Sequence, residues 1–73
     1  MMIQIGSRVQ EATVVAECDD ASLYRSKGAW ILAKDRVATV PGALHRYRAD
    51  ACETLRQSEA EQWCRAHGAP MAY

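Results

Sequence analysis

The sequence predicts a small α+β domain, in which an antiparallel β-meander of three to five short strands packs against a C-terminal α-helix. The chain has 73 residues, which is enough for one hydrophobic core. Short apolar runs separated by turn residues fill the first 48 positions, and a segment with helix start and stop signals follows near the end. We therefore treat residues 1–73 as one domain, with mainly strands over 1–48 and a helical region over 50–67.

The first part of the chain contains two predicted strands. Residues 2–5 alternate between apolar and polar side chains and end at Gly6-Ser7, a pair typical of turns. Residues 8–18 contain Val9, Val14 and Val15, and one face carries Ala12, Val14, Ala16 and Cys18, which predicts a half-buried strand. The adjacent aspartates at 19 and 20 favour a turn or a helix N-cap and end this strand.

Residues 20–28 are compatible with two structures. Asp20 can cap a short helix that Lys27-Gly28 closes, or the segment can be a strand that turns at residues 26–28. The apolar run at residues 29–33 directly follows the glycine and is the strongest strand pattern in the chain. We favour the strand, because the two runs then form a hairpin.

The segment after this hairpin contains two further turns. Lys34-Asp35 leads into a predicted strand over residues 36–40, and Pro41-Gly42 ends it. Residues 44–48 fit either a final edge strand or the opening of a helix. The second interpretation rests on apolar residues that recur at helical spacing, namely Leu44, Tyr47, Ala51 and Leu55.

The C-terminal segment has the signals of a helix at both ends. Ser58 and Glu61 have the spacing of a capping box, in which each side chain pairs with a free backbone N–H. Gly68 can adopt the left-handed conformation that ends a helix, and Pro70 prevents its continuation. We predict that the helical region starts near Asp50 and reaches residue 67, with a break at residues 57–58. Its predicted buried stripe consists of Leu55, Ala60, Trp63 and Cys64.

Cysteine usage and hydropathy predict a cytoplasmic protein. Cys18, Cys52 and Cys64 are odd in number and lack paired spacing, so reduced thiols explain them better than a disulfide framework. The apolar runs are far shorter than the roughly 20 residues that span a bilayer, and no signal-peptide pattern is present, so we expect no membrane partner. A small core without disulfides favours stabilisation by association, in a homodimer or with an obligate partner.

The residue pattern suggests no catalytic site, metal or cofactor. Cys64 and His67 have metal-ligand spacing, but a structural zinc site needs a second close pair of ligands, which the sequence lacks. Cys52 lies near a predicted helix start, but the acidic Asp50 and Glu53 oppose formation of its thiolate. We therefore expect a protein that is not an enzyme.

Charge is distributed unevenly along a chain whose formal net charge is zero. Residues 25–48 carry six Lys or Arg and one Asp, whereas residues 1–24 carry one Arg and four acids. Residues 49–73 carry two Arg and four acids. A basic middle between acidic flanks is either solvated surface or a face that binds a charged partner.

Two functions use this basic segment. One is protein binding, because Arg and Tyr are enriched at binding hot spots. The alternative is binding of single-stranded nucleic acid through cations and the rings of Tyr24, Trp30 and Tyr47. The predicted partner-binding residues are Arg46, Tyr47, Arg48, Arg25, Lys27, Asp19 and Asp20. We favour a protein partner over a nucleic acid, because nucleic-acid-binding domains are usually markedly basic.

The sequence of the predicted C-terminal helix resembles that of other small proteins. Residues 58–68, with the sequence SEAEQWCRAHG, resemble the closing helix of many small proteins encoded by bacteriophages and plasmids. The size, single domain and lack of a catalytic motif are similar to those of anti-CRISPR and other phage-encoded inhibitors. This resemblance implies a stoichiometric inhibitor that occludes a nucleic-acid site on a host complex, such as a CRISPR effector, often by presenting acidic surface. The acidic residues available for this are Glu11, Glu17, Asp19, Asp20, Glu59 and Glu61.

Overall fold

The computed structural model describes residues 1–18, 21–37 and 44–68. These residues form seven β-strands, one 3₁₀ turn at Ala49–Ala51 and one α-helix, α1, at Gln57–Ala66. The strands are β1 (Met2–Ile5), β2 (Arg8–Glu11), β3 (Thr13–Cys18), β4 (Ala21–Ser26), β5 (Ala29–Ala33), β6 (His45–Tyr47) and β7 (Cys52–Leu55). The predicted α+β class with a C-terminal helix is confirmed. Part of the predicted strand at 36–40 lies outside the described residues.

The strands form two sheets. Sheet A has the order β2-β1-β6, and sheet B has the order β3-β4-β5-β7. The consecutive strands β3, β4 and β5 make the predicted antiparallel meander, and β7 extends it. In sheet A, β1 and β2 form a separate hairpin, and β6 pairs with β1 in the parallel direction.

The strand interpretation of residues 21–26 is confirmed by the β4–β5 hairpin. Ser26 pairs with Ala29 across the two-residue turn Lys27-Gly28. Both turn residues have positive φ, 51° at Lys27 and 80° at Gly28. Positive φ at both positions is the requirement of a type I′ turn, whose twist matches that of the flanking strands. Glycine adopts this conformation at no steric cost, which is why the sequence turns here.

The predicted helical region over 50–67 is wrong in its first part. Residues Ala49–Ala51 form one 3₁₀ turn, and Cys52–Leu55 form β7, which pairs with β5 at the edge of sheet B. A helix of one or two turns is marginal in water, whereas pairing with β5 satisfies backbone donors and acceptors. It also lets Cys52 and Leu55 pack into two different apolar clusters.

The start of α1 also differs from the predicted capping box. Its N-cap is Arg56, and Ser58 lies inside the first turn. The backbone N–H of Arg56 donates to Oε1 of Glu59 at 2.9 Å, so Glu59 and not Glu61 accepts the capping bond. The predicted end is confirmed, because Gly68 has a φ of 65° directly after the C-cap.

Sheet B is covered on both faces, which gives the molecule three layers. On one face it packs against α1 through a cluster of Val15, Ala16, Leu23, Trp30, Leu32, Ala60 and Cys64. On the other face it packs against sheet A through Ile3, Ala12, Tyr24, Ala33 and Tyr47. Because successive side chains of β5 enter opposite clusters, residues 29–33 show no alternation with polar residues.

Candidate protein-binding surface

Sheet A has one inner and one outer face. Ile3 and Tyr47 enter the cluster between the sheets and therefore mark the inner face. Side chains alternate along a strand, so Gln4 and Arg46 lie on the outer face. Gln4 pairs with Arg46 on β6 and with Val9 on β2, which places the three side chains in one row across the sheet.

Three of the four exposed large apolar side chains of the described residues, all but Met1, lie in or beside this row. The four are Val9 at 49% exposure, Met1 at 45%, Met2 at 44% and Val37 at 38%. Val37 forms an antiparallel bridge with Arg46 and so extends the row beyond β6. Met2 lies two positions before Gln4 on the same face of β1. We call Met2, Gln4, Val9, Val37 and Arg46 the sheet A patch.

Exposed charged side chains lie within and beside the sheet A patch. Arg46 is exposed and makes no ion pair with a residue in the described ranges. Glu11 is exposed and lies opposite Met2 in the register of β1 and β2. Exposed apolar side chains beside charges of both signs occur at protein interfaces, where Met and Arg are enriched.

A partly buried polar network lies behind the sheet A patch and connects the two sheets. The hydroxyl groups of Tyr24 and Tyr47 are 2.6 Å apart, and their rings meet edge to face at 5.8 Å between centroids. Arg36 donates from Nε to the Tyr47 hydroxyl and from Nη2 to Oγ of Ser22, each at 3.2 Å. Its guanidinium lies 3.6 Å from a carboxylate oxygen of Glu17.

Two members of this network, Tyr24 and Arg36, have raised pKa values. Burial, followed by the hydrogen bond with Tyr47, raises the pKa of Tyr24 well above its ordinary value of 10. The hydrogen bond to Tyr47 also raises the pKa of the Arg36 guanidinium. Tyr24 therefore stays neutral and Arg36 stays charged, so the support behind the patch is constant across the physiological range.

The predicted basic residues do not form one surface. Arg46 belongs to the sheet A patch, whereas the guanidinium of Arg25 lies 4.8 Å from the ring centroid of Trp30, on the side of sheet B that faces α1. Lys27 lies in the β4–β5 turn, and Arg48 pairs with Asp50 at 2.9 Å. Asp19 and Asp20 lie outside the described residues.

Tyr47 is wrong as a partner contact, because it is only 2% exposed. The side chain next to Arg46 necessarily points to the opposite face, and the tyrosine hydroxyl finds its partner inside, on Tyr24. Tyr24 and Trp30 are 0% and 5% exposed. None of the three rings therefore presents a face on which a base can stack, so these rings do not support the nucleic-acid hypothesis.

The apolar members of the patch, Met2, Val9 and Val37, were not predicted as contacts. Period-two alternation separates Met2 and Gln4 from Ile3 and Ile5, but it does not tell which set faces the core. That choice depends on sheet B lying over Ile3 and Ile5, which the local sequence does not encode.

Cys18, Cys52 and Cys64 lie at the end of β3, at the start of β7 and in α1. No disulfide joins any two of these cysteines. Burial raises the pKa of Cys64, and burial together with the charge of Asp50 raises that of Cys52. Within residues 1–18, 21–37 and 44–68, no three His, Cys, Asp or Glu side chains are grouped so that they could hold a metal ion. In the same ranges no helix has both the length and the apolar character needed to cross a membrane.

No protein-family model matches the chain, and searches of curated proteins and of solved structures find no match. The geometry of the surface is therefore the basis for inferring function.

Proposed function

We propose that this chain is a non-enzymatic protein-binding module that contacts its partner through the sheet A patch. The observation that carries the proposal is the gathering of exposed Met2, Val9 and Val37 around Arg46 on one sheet face. Contiguous exposed apolar residues with a polar rim mark protein interaction sites on small proteins. Met and Arg are also enriched at interfaces relative to the rest of a protein surface.

The sheet A patch is preorganised for binding. Its strands β1 and β6 are anchored by Ile3 and Tyr47, which are 0% and 2% exposed, and by the hydrogen bonds of Tyr47 to Tyr24 and Arg36. A rigid apolar face loses little conformational entropy when a partner covers it. Covering Met2 or Val9 removes apolar area from water at about 25 cal/mol per Å², so each can contribute on the order of 1 kcal/mol.

Two further parts of the proposal rest on the thiols and on the last helix. Cysteines held in the thiol form are weak nucleophiles and suit a reducing compartment, which supports a non-enzymatic role and a cytoplasmic location. The resemblance of residues 58–68 to phage-encoded proteins extends the proposal to a stoichiometric inhibitor of a host complex such as a CRISPR effector. In that role the patch acts by occlusion.

The test uses matched variants of the purified, tagged chain. We expect the wild-type chain to capture a protein from nuclease-treated bacterial lysate at near-stoichiometric yield. Val9→Lys introduces a charge that an edge strand tolerates, and Arg46→Glu reverses the charge beside Gln4. Each variant should weaken binding of the captured partner, measured by calorimetry, by about ten-fold or more, the effect of losing one hot-spot residue.

Arg65→Glu is the control, because Arg65 is exposed on α1, on the far side of sheet B, and carries the same charge as Arg46. It should leave the affinity unchanged. Circular dichroism establishes that each variant is folded. Equal binding by wild type, Val9→Lys and Arg46→Glu would remove the patch from the interface, and capture that disappears with nuclease would favour a nucleic-acid ligand instead.

A further inference from the structure

The two sheets diverge at the end of β4 and leave a cleft of about 490 Å³ between them. Ile5 of sheet A and Ile31 of sheet B line its inner part, and the small side chains Ala29 and Ala49 keep it open. The volume falls within the range of pockets that bind small molecules.

The rim of this cleft is cationic. Arg8 lies opposite Ile5 in the register of β1 and β2 and so projects from the inner face of sheet A, while Lys27 approaches from the β4–β5 turn. Neither side chain makes an ion pair or a hydrogen bond within the part of the chain that the structure describes. Glu53 is the acid among the described lining residues, so the two cations are in excess.

Some polar groups of the cleft make hydrogen bonds within the protein, and others are open to a ligand. The Ser26 hydroxyl accepts a hydrogen bond from Nε2 of Gln10 at 3.1 Å and donates to the carbonyl oxygen of Glu11, so its role is structural. The Thr54 hydroxyl lines the same cleft and makes no hydrogen bond with a residue of the described ranges. It is available to a ligand, together with Arg8 and Lys27.

We propose that this cleft binds a small monocarboxylate with an apolar body. The apolar part would lie on Ile5 and Ile31, and the carboxylate would pair with Arg8 and Lys27 at the rim. A guanidinium and an ammonium both bind carboxylates through charge-assisted hydrogen bonds, and the apolar floor excludes fully hydrated anions. The cleft and the sheet A patch lie on opposite faces of sheet A, so this site is independent of the proposed protein interface.

The probe is octanoate, titrated into uniformly ¹⁵N-labelled protein and followed by NMR chemical shifts. For about ten non-hydrogen atoms in an open cleft, we expect a dissociation constant on the order of 1 mM. The shifts should concentrate on the amides of residues 5–8, 26–31 and 52–54. Octanol, which has the same chain without the charge, and octylamine, which has the opposite charge, should each bind at least five-fold more weakly.

Two variants locate the carboxylate. Lys27→Asn removes the charge and creates Asn-Gly, the preferred type I′ pair, so the hairpin is retained. Arg8→Gln removes the other charge at an exposed position. Each should weaken octanoate binding about three- to ten-fold and leave octanol binding unchanged. Lys34→Asn removes one exposed cation outside the cleft and should have no effect.

Three results would overturn the site. The first is equal affinity for octanoate and octanol, the second is unchanged octanoate binding in both rim variants, and the third is a set of shifts centred on Met2, Val9 and Arg46. The last result would assign the binding to the exposed apolar surface and not to the cleft.

Discussion

Alternate side chains of β4 determine how the two sheets meet. Ser22, Tyr24 and Ser26 all point toward sheet A and are 0%, 0% and 5% exposed. Each side chain has a hydrogen-bond partner: Ser22 accepts from Arg36, Tyr24 pairs with Tyr47, and Ser26 donates to the Glu11 carbonyl. Arg36 also donates to the Tyr47 hydroxyl. Buried polar groups are costly unless they are paired, and in the observed placement of the sheets all three side chains have a partner.

The two tyrosines should differ in their effect on stability. Tyr47→Phe leaves the Tyr24 hydroxyl and Nε of Arg36 without their shared partner, and we expect a loss of about 2 kcal/mol of unfolding free energy. Tyr24→Phe keeps the bond from Arg36 to Tyr47 and should cost about 1 kcal/mol. Urea denaturation at pH 7 measures both values. A larger loss for Tyr24→Phe would show that Arg36 is not held by Tyr47.

Tyr24 should also make stability fall at alkaline pH. Its pKa is raised in the folded chain, so above pH 10 the unfolded chain loses a proton that the folded chain keeps. The stabilisation from this group is complete below pH 10 and is lost as the pH rises toward the folded-state pKa. Urea denaturation at pH 9 and pH 10.5 should therefore show a smaller decrease for Tyr24→Phe than for wild type, and equal decreases would contradict the assignment.

At the scale of secondary-structure elements, the positions of turns are easier to predict than whether a segment forms a helix or a strand. The Lys27-Gly28 turn and the Gly68 helix end depend on residues in left-handed conformation, which glycine identifies directly. The helical spacing of Ala51 and Leu55 and the N-cap pair Asp50 and Glu53 predict a helix over residues 52–55. The strand forms because β5 offers an unpaired edge, a tertiary effect that local periodicity does not contain.

The observed cap of α1 makes a prediction that distinguishes it from the capping box expected from the sequence. Glu59→Ala removes the acceptor of the Arg56 N–H and a negative charge in the first turn, so it should cost about 1 kcal/mol of unfolding free energy. Ser58→Ala should change it by less than about 0.5 kcal/mol, because Ser58 lies within the helix and exposed to solvent. Urea denaturation measures both variants.

Glu61→Ala is the matched control for this cap. It removes the same charge from the same helix without removing the bond to Arg56, and it should have the smaller effect. If Ser58→Ala and Glu61→Ala proved the costly pair, the helix would begin at residue 59 as the sequence pattern suggests.

At the scale of the whole molecule, two hydrophobic clusters pack on opposite faces of sheet B. Leu23 and Tyr24 are neighbours on β4 and enter different clusters, as do Leu32 and Ala33 on β5. The sequence predicted the helix-covered sheet but not the second layer, because sheet A depends on parallel pairing of β1 with β6, which lies some forty positions later in the chain. The same distant pairing places Arg46 beside Gln4 and thereby creates the sheet A patch.

Because the two clusters pack on the same sheet, we expect them to unfold together. A conservative substitution in one cluster tests this. Ile3 is 0% exposed and belongs to the cluster between the sheets, so Ile3→Val should cost about 1 kcal/mol. Trp30 and Trp63 lie in the other cluster and report on it by fluorescence. If unfolding is two-state, the tryptophan midpoint in urea falls by the same amount as the far-UV circular dichroism midpoint.

Val9→Ala is the control for Ile3→Val, because it removes apolar volume from the exposed face of the same sheet and should change stability by less than about 0.5 kcal/mol. A tryptophan midpoint that stays at the wild-type value in Ile3→Val, while the circular dichroism transition broadens or splits, would mean that sheet A can detach from sheet B. In that case the patch would lie on a separable layer, and its binding would depend on the stability of that layer. Coincident midpoints instead mean that a ligand on either face of sheet A stabilises the whole chain against unfolding.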